Sequence, residues 1–260
     1  MRSRKSTPYF GGYPPLALAA PHLTVVIPAY NEEERLPRTL ERIVEYYSAQ
    51  TYSWEVIVVS DGSKDGTGEI VRNAADPRVK LIEYQPNRGK GFAVRTGMLA
   101  AEGDLVLFCD ADLATPQEET EKLLPHMAQG ARVAIGSRPL EKSNLEIRQP
   151  WYRELAGRGF NTLIQILAIR GIEDTQCGFK MFDREATQEI FSRCKLDGFG
   201  FDFEALMIAR DLGYRIDEVP IRWRHMEGSK VSLLRDGMRM LRDLLKLRSM
   251  GKRGRLKVRP

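Results

Sequence analysis

The sequence predicts an α/β protein built on a mostly parallel, doubly wound sheet, and three observations lead there. Short apolar, β-branched runs alternate with segments of helical period over about 90 residues, the pattern of successive strand-helix units. Turns rich in Gly and Asp stand where strands hand over to helices. Leu105 to Asp112 then joins a buried run to two carboxylates at an i, i+2 spacing. With 260 residues, 42% of them hydrophobic, the chain has ample material for one large or two small domains.

Leu23-Thr24-Val25-Val26-Ile27 reads as the first strand, stopped by Pro28, and Glu32 to Ala49 as a helix with Leu36, Leu40, Ile43, Val44 and Tyr47 on its apolar side. Trp54 to Val59 is the second strand. It closes into Ser60-Asp61-Gly62-Ser63-Lys64-Asp65-Gly66-Thr67, which opens a helix through Val71. Val79 to Tyr84 is the third strand, Asn87-Arg88-Gly89-Lys90-Gly91 leads a helix to Ala101, and Asp104 to Cys109 is the fourth strand.

On a strand, Asp110 and Asp112 would share one face at the carboxyl edge of the sheet, where ligands bind in open α/β folds. Hard oxygen ligands there suit Mg2+ or Mn2+ bridging a diphosphate, against the plainer reading of a solvated acidic turn. Val94 stands where a dinucleotide fingerprint needs its third Gly, and no Walker A sequence exists. A diphosphate must then be held by a metal, loop amides and basic side chains. Arg88 and Lys90, near a helix start, are candidates, the alternative being surface charge.

Beyond the pair, a helix is expected over Gln117 to Met127 and a strand over Arg132 to Ile135, ending in Gly136-Ser137-Arg138. Residues 139 to 152 read as a long polar loop. Arg153 to Ile169 and Val231 to Leu247 read as amphipathic helices. In the second, Leu234, Met238, Leu241 and Leu245 form one apolar line, with Leu233, Met240, Leu244 and Leu247 beside it and Arg235, Arg239, Arg242 and Lys246 on the flank. That pattern fits a lipid interface or a core-packed helix. Between these helices, Asp174 to Lys180 reads as a polar loop, Gly198 to Asp202 precedes a helix, and Ile216 to Arg224 reads as one strand. His225, without ligand spacing, reads as a hydrogen-bonded surface residue.

Ten Lys or Arg between Arg235 and Pro260, against Asp236 and Asp243, give that end a net +8 and leave −3 for the rest of a chain of net +5. Such a tail points to an anionic surface or to a solvated end. It lacks interleaved aromatics, which argues against nucleic acid. No apolar run is long enough to cross a bilayer. Residues 1 to 21 read as a flexible leader, and Cys109, Cys177 and Cys194, without metal-ligand spacing, as reduced thiols.

Pro28-Ala29-Tyr30-Asn31-Glu32, Ser60-Asp61-Gly62-Ser63, Asp110-Ala111-Asp112 and Gly136-Ser137-Arg138, in that order, resemble the inverting family 2 glycosyltransferases of the GT-A (nucleotide-diphospho-sugar transferase) fold. Asn87 to Gly91, Asp174 to Lys180 and Glu227-Gly228-Ser229-Lys230 are similar to the dolichyl-phosphate glucosyltransferase branch, kin of dolichol-phosphate mannose synthase. The resemblance implies a GT-A domain over residues 22–228, a basic amphipathic helix over 229–248 and a basic tail over 249–260. It implies that Pro28, Ala29, Tyr30, Glu32 and Asp61 bracket the nucleoside, with Asp110, Ala111 and Asp112 at the metal and diphosphate. Arg138 and Arg153 would meet a lipid phosphate, and Gln176, Lys180, Asp202, Ser229 and Lys230 would line the sugar and phosphate side. Asp112, Arg138, Arg153 and Asp202 are the residues expected to carry the chemistry.

Ala114 stands where mannose synthases have Gln, which favours the glucosyl branch. Ser60 replaces the first Asp of the usual D-D-G-S turn, leaving Asp61 to recognise the base, and Gly157 replaces a Ser near the acceptor phosphate. The implied activity is inverting transfer of a hexose, glucose from UDP-glucose, to a polyprenyl phosphate with Mg2+ or Mn2+. It would take place peripherally on the cytoplasmic face of the membrane. GDP-mannose as donor and a soluble acceptor are the alternatives.

Overall fold

A computed structural model describes residues 22–140, 144–147, 169, 171–224, 226 and 233–252. The strands are β1 (Leu23–Ala29), β2 (Trp54–Asp61), β3 (Val79–Tyr84), β4 (Leu105–Cys109), β5 (Val133–Ser137), β6 (Asn144–Ile147), β7 (Phe179–Asp183), β8 (Ile216–Pro220) and β9 (Arg222–Arg224). The helices are α1 (Leu36–Ser48), α2 (Thr67–Arg72), α3 (Lys90–Ala100), α4 (Thr120–Ala128), α5 (Arg184–Phe191), α6 (Phe201–Asp211) and α7 (Leu233–Lys252), with a 3-10 turn at Gln117–Glu119. The expected leader and the helix from Arg153 lie outside the described residues.

Seven strands form one sheet in the order β3-β2-β1-β4-β7-β5-β8. Every pairing is parallel except those of β7, which runs antiparallel to both β4 and β5. The sheet therefore matches the sequence expectation apart from one inserted strand. Its interior strands are buried on both faces, which explains their unbroken Val, Ile and Leu runs. Leu23, Val25 and Ile27 of β1 face one core, together with Leu36, Leu40, Ile43 and Tyr47 of α1, while Val26 faces the other, with Val94 and Met98 of α3 and Phe203 and Leu206 of α6.

The polar loop expected over Asp174 to Lys180 is corrected at its end: Phe179 and Lys180 belong to β7. A lysine in a strand only five residues long hid the apolar run. The single strand expected from Ile216 to Arg224 is two, divided at buried Ile221; β8 closes the main sheet and β9 pairs with β6 in a separate ribbon. β6 also lies inside the stretch expected to be loop.

Helix α7 divides the two apolar lines read in its sequence. Met240, Leu244 and Leu247 enter the core, whereas Met238 and Leu245 are 63% and 52% exposed. The core-packed reading thus holds for one line only. No described helix is long and apolar enough to cross a membrane.

Behind the carboxylate turn, the 1%-exposed Glu119 fastens β9, accepting from the Arg222 main-chain N–H at 3.1 Å and Nε at 2.6 Å, with Lys122 Nζ at 2.7 Å. Burial opposes its ionisation, but Lys122 and Arg222 prevail and hold it below the ordinary glutamate pKa. Its contribution is therefore present above that value and fades as pH falls through the depressed one. Glu119→Gln should cost about 1–3 kcal/mol at pH 7 by urea unfolding. The gap to wild type should narrow in acid; a gap that widens would contradict the assignment.

Candidate functional site

The parallel strands β1, β2 and β4 deliver their carboxyl ends to one edge, and the loops leaving them enclose a cleft of about 610 Å³. Pro28, Ala29, Tyr30, Glu32, Asp61, Lys90, Asp110, Ala111 and Asp112, all expected from the sequence, line it. The first two loops are tied together. Asn31 donates its N–H to Ser63 Oγ and accepts from the Lys64 N–H, the Glu32 N–H donates to Thr67 Oγ1 at 2.8 Å, and the Gly66 N–H donates to Glu33 Oε2.

Buried Asp61 spends its carboxylate on the neighbouring turn. Oδ1 accepts from the Arg88 N–H at 2.7 Å, and Oδ2 from the Gly89 N–H at 2.8 Å and Asn87 Nδ2 at 2.9 Å. Arg88 reaches the site only through that N–H, since its guanidinium lies 3.5 Å over the Phe92 ring. The helix start expected to receive a phosphate is also engaged: the Gly91 and Phe92 N–H groups both donate to the Asp197 carbonyl. Gly89, at φ +104°, allows that approach, for a Cβ there would lie 2.4 Å from the same oxygen. What α3 offers the cleft is Lys90.

Asp110 and Asp112 do not share a strand face as expected. β4 ends at Cys109, and both stand in the turn that follows, with Leu113 at φ 53°. The turn keeps them close: burial first, then the Asp110 charge, raises the Asp112 carboxyl above its ordinary value. Asp112 Oδ1 accepts from the Ala114 N–H at 3.0 Å, and Asp110 Oδ1 lies 2.7 Å from Lys90 Nζ. Burial acts against the Lys90 charge, but Asp110, Asp202 and Asp112 together hold its pKa above the lysine norm.

Two further ion pairs lie beside the turn. Lys180, 1% exposed, gives Nζ to Asp202 Oδ1 and to the Cys177 carbonyl, each at 2.5 Å. Burial raises the Asp202 pKa against the pull of Lys180 and Lys90. Arg138 forks onto Asp174, Nε to Oδ2 at 2.6 Å and Nη2 to Oδ1 at 2.8 Å. Burial opposes the Asp174 charge, yet Arg138 holds its carboxyl below the usual range. Gln176 meets Met240 of α7. Burial, then the charges of Asp110 and Asp174 respectively, pushes the Cys109 and Cys177 thiols up to about 12. Arg153, His225, Ser229 and Lys230 lie outside the described residues.

The sequence reading missed Arg35, Asn87, Phe199, Arg239, Met240 and Asp243 in the cleft wall. Arg35 follows Glu32 at i+3 and pairs with it at 3.7 Å, a spacing that could have flagged it. Arg239 reads from sequence as flank, and Asp243, one helical turn on, only as part of the tail's charge, because nothing local says which side of α7 faces the sheet.

Two crowded carboxylates at one turn suit a divalent cation, and their oxygens suit Mg2+ or Mn2+. Among the described residues no group of three or more His, Cys, Asp or Glu could hold a metal ion, so diphosphate and water would complete the shell.

The sequence model described as Glycosyl transferase family 2 matches residues 24–191. The chain belongs to that family. Among family 2 relatives, a dolichyl-phosphate beta-glucosyltransferase of Trichomonas vaginalis is 37% identical over 87% of this chain and 72% of its own. The enzymes of that name from Homo sapiens and Saccharomyces cerevisiae are 38% and 37% identical, each over 87% of this chain and 74% of theirs. Mannosyl-3-phosphoglycerate synthase from Rubrobacter xylanophilus superposes with a TM-score of 0.69 at 20% identity, over 91% of this chain and 76% of that one. Glucosyl-3-phosphoglycerate synthase from Mycobacterium tuberculosis, solved with Mn2+, UDP-glucose and phosphoglyceric acid, gives 0.65 at 19%, over 89% and 81%. The fold is GT-A, and this family 2 member is a glycosyltransferase.

Because the raised Asp112 pKa means that its charge weighs against folding, Asp112→Asn should raise the unfolding temperature of metal-free protein at pH 7. The advantage should shrink as pH falls through the raised value and vanish below the ordinary one of 3.8. An advantage that persists in strong acid would contradict this origin.

Proposed function

We propose that this chain transfers glucose from UDP-glucose to a dolichyl-type polyprenyl phosphate, inverting the anomeric centre, on the cytoplasmic face of a membrane. The observation that carries the proposal is its likeness, at 37% identity over 87% of the chain, to a dolichyl-phosphate beta-glucosyltransferase.

The cleft divides into parts suited to such a donor. Pro28, Ala29, Tyr30 and Glu32 would bracket the nucleoside, with Asp61 holding the 87–89 turn against it. Asp110 and Asp112 would hold Mg2+ or Mn2+, which when bound offsets charge on the departing diphosphate. Lys90 adds a second cation on the same side. A phosphate monoester acceptor is already ionised near neutral pH, so the displacement needs no general base. Asp202, locked to Lys180, serves instead as a buried counter-charge. Two donor groups of Arg138 are taken by Asp174, so an acceptor phosphate would meet its Nη1, with Arg153, Ser229 and Lys230 as further contacts.

The test is transfer of label from UDP-glucose, and in parallel from GDP-mannose, into organic-extractable lipid with polyprenyl phosphate and Mg2+ or Mn2+. A β-linked glucosyl lipid is expected, with Asp110→Ala lowering the rate about 100-fold or more. Label from GDP-mannose alone would overturn the donor, an α-linked product the inversion, and label only in the aqueous phase the lipid acceptor.

Membrane attachment would use the outward line of α7, where exposed Met238 and Leu245 stand beside Arg242 and Lys246. Each basic side chain near an anionic surface contributes about 1 kcal/mol, so binding should weaken with salt. Replacing Met238 and Leu245 by Glu should release the protein from anionic vesicles; unchanged sedimentation would refute this placement.

A further inference from the structure

We propose that Lys90 is a placeholder for the divalent cation: its ammonium occupies Asp110 until a nucleoside diphosphate draws it away, so that metal and donor bind as a coupled pair. The inference rests on reading Asp110 and Asp112 as the metal ligands.

The oxygen inventory of the turn leads to it. Asp110 Oδ1 holds Lys90 Nζ at 2.7 Å. Oδ2 is packed against Gly178, where a Cβ would come within 2.0 Å of it. Asp112 Oδ1 accepts the Ala114 N–H. Two of the four carboxylate oxygens are thus engaged, and the one facing a side chain is held by a positive charge. A dication approaching Asp110 meets both a blocked ligand and a like charge.

Release of that oxygen requires only side-chain motion. The backbone at the start of α3 is fixed by the Gly91 and Phe92 N–H bonds to Asp197, but the Lys90 side chain is 25% exposed and lines the cleft. An ammonium on a flexible four-carbon stem is a mobile point charge with high affinity for phosphate. A diphosphate in the cleft gives it another anionic partner, and Asp110 is then exchanged from ammonium to metal. Coupling of this kind is reciprocal: the nucleotide tightens the metal and the metal tightens the nucleotide by the same factor.

The test is a Mn2+ titration of the full chain, following free Mn2+ by electron paramagnetic resonance, with and without UDP, for wild type, Lys90→Met and Lys90→Arg. UDP should tighten Mn2+ binding to wild type by about tenfold or more, a coupling of about 1.4 kcal/mol. Lys90→Met should bind Mn2+ alone about tenfold more tightly than wild type and lose most of the UDP effect, while Lys90→Arg stays near wild type without UDP. Thermal unfolding without nucleotide gives a second readout, in which Mn2+ should stabilise Lys90→Met more than wild type; Lys90→Gln gives the same comparison if the methionine variant folds poorly. If Lys90→Met binds Mn2+ alone no more tightly than wild type while UDP still tightens both, or if Lys90→Arg matches Lys90→Met, the placeholder role is overturned and the metal site stands. If none of the proteins binds Mn2+ even with UDP, the metal site falls and the proposal with it.

Discussion

The approach of Gly178 to Asp110 is the constraint on which the active edge depends. The Asp110 N–H donates to the Gly178 carbonyl at 3.2 Å while the Asp110 carboxylate folds back over the Gly178 α-carbon, a space in which any Cβ would force the carboxylate to move. This contact exists because β7 enters the sheet antiparallel between β4 and β5. Its first residues therefore arrive at the edge where β4 ends. The same insertion carries Lys180 beneath the turn, paired with Phe108 of β4 in the ladder, and α6 brings Asp202 to meet it. One reversed strand thus fixes the acidic turn from below.

Charge is arranged around that turn in matched pairs: Lys90 with Asp110, Lys180 with Asp202, and Arg138 with Asp174. The one fully buried pair, Lys180 with Asp202, adds little net stability over apolar packing, because desolvation consumes most of the attraction, and the two partly exposed pairs are weakened by solvent. Their value here is positional. Each of these carboxylates has one cation holding it, while Asp112 is crowded by Asp110, and burial with that neighbouring charge raises its carboxyl.

Much of this was legible in the sequence, for physical reasons that can be named. Strands buried on both faces write themselves as Val and Ile runs, so β1, β2, β4 and β5 were readable, and motif residues after β1, β2 and β4 fell into the cleft. β7 was hidden because Lys180, a charged residue at a fully buried position, broke the apolar run; only a partner distant in sequence, Asp202, makes that burial tolerable. The sequence points to Asp61 as a ligand for the base but not to its bonds with the Arg88 and Gly89 main-chain N–H groups and Asn87 Nδ2, 26 to 28 residues away, a use that leaves no local pattern. Arg239 and Asp243 were obscured by the symmetry of α7, whose two apolar lines look alike until one is packed.

Cys109 and Cys177 immediately precede the two residues in closest approach, Asp110 and Gly178, and burial pushes both thiols up to about 12. At neutral pH they are protonated and sealed from solvent, so the nucleophilic thiolate that would attack peroxide is scarce there. Sulfur lies next to the carboxylates, yet the turn presents an all-oxygen face.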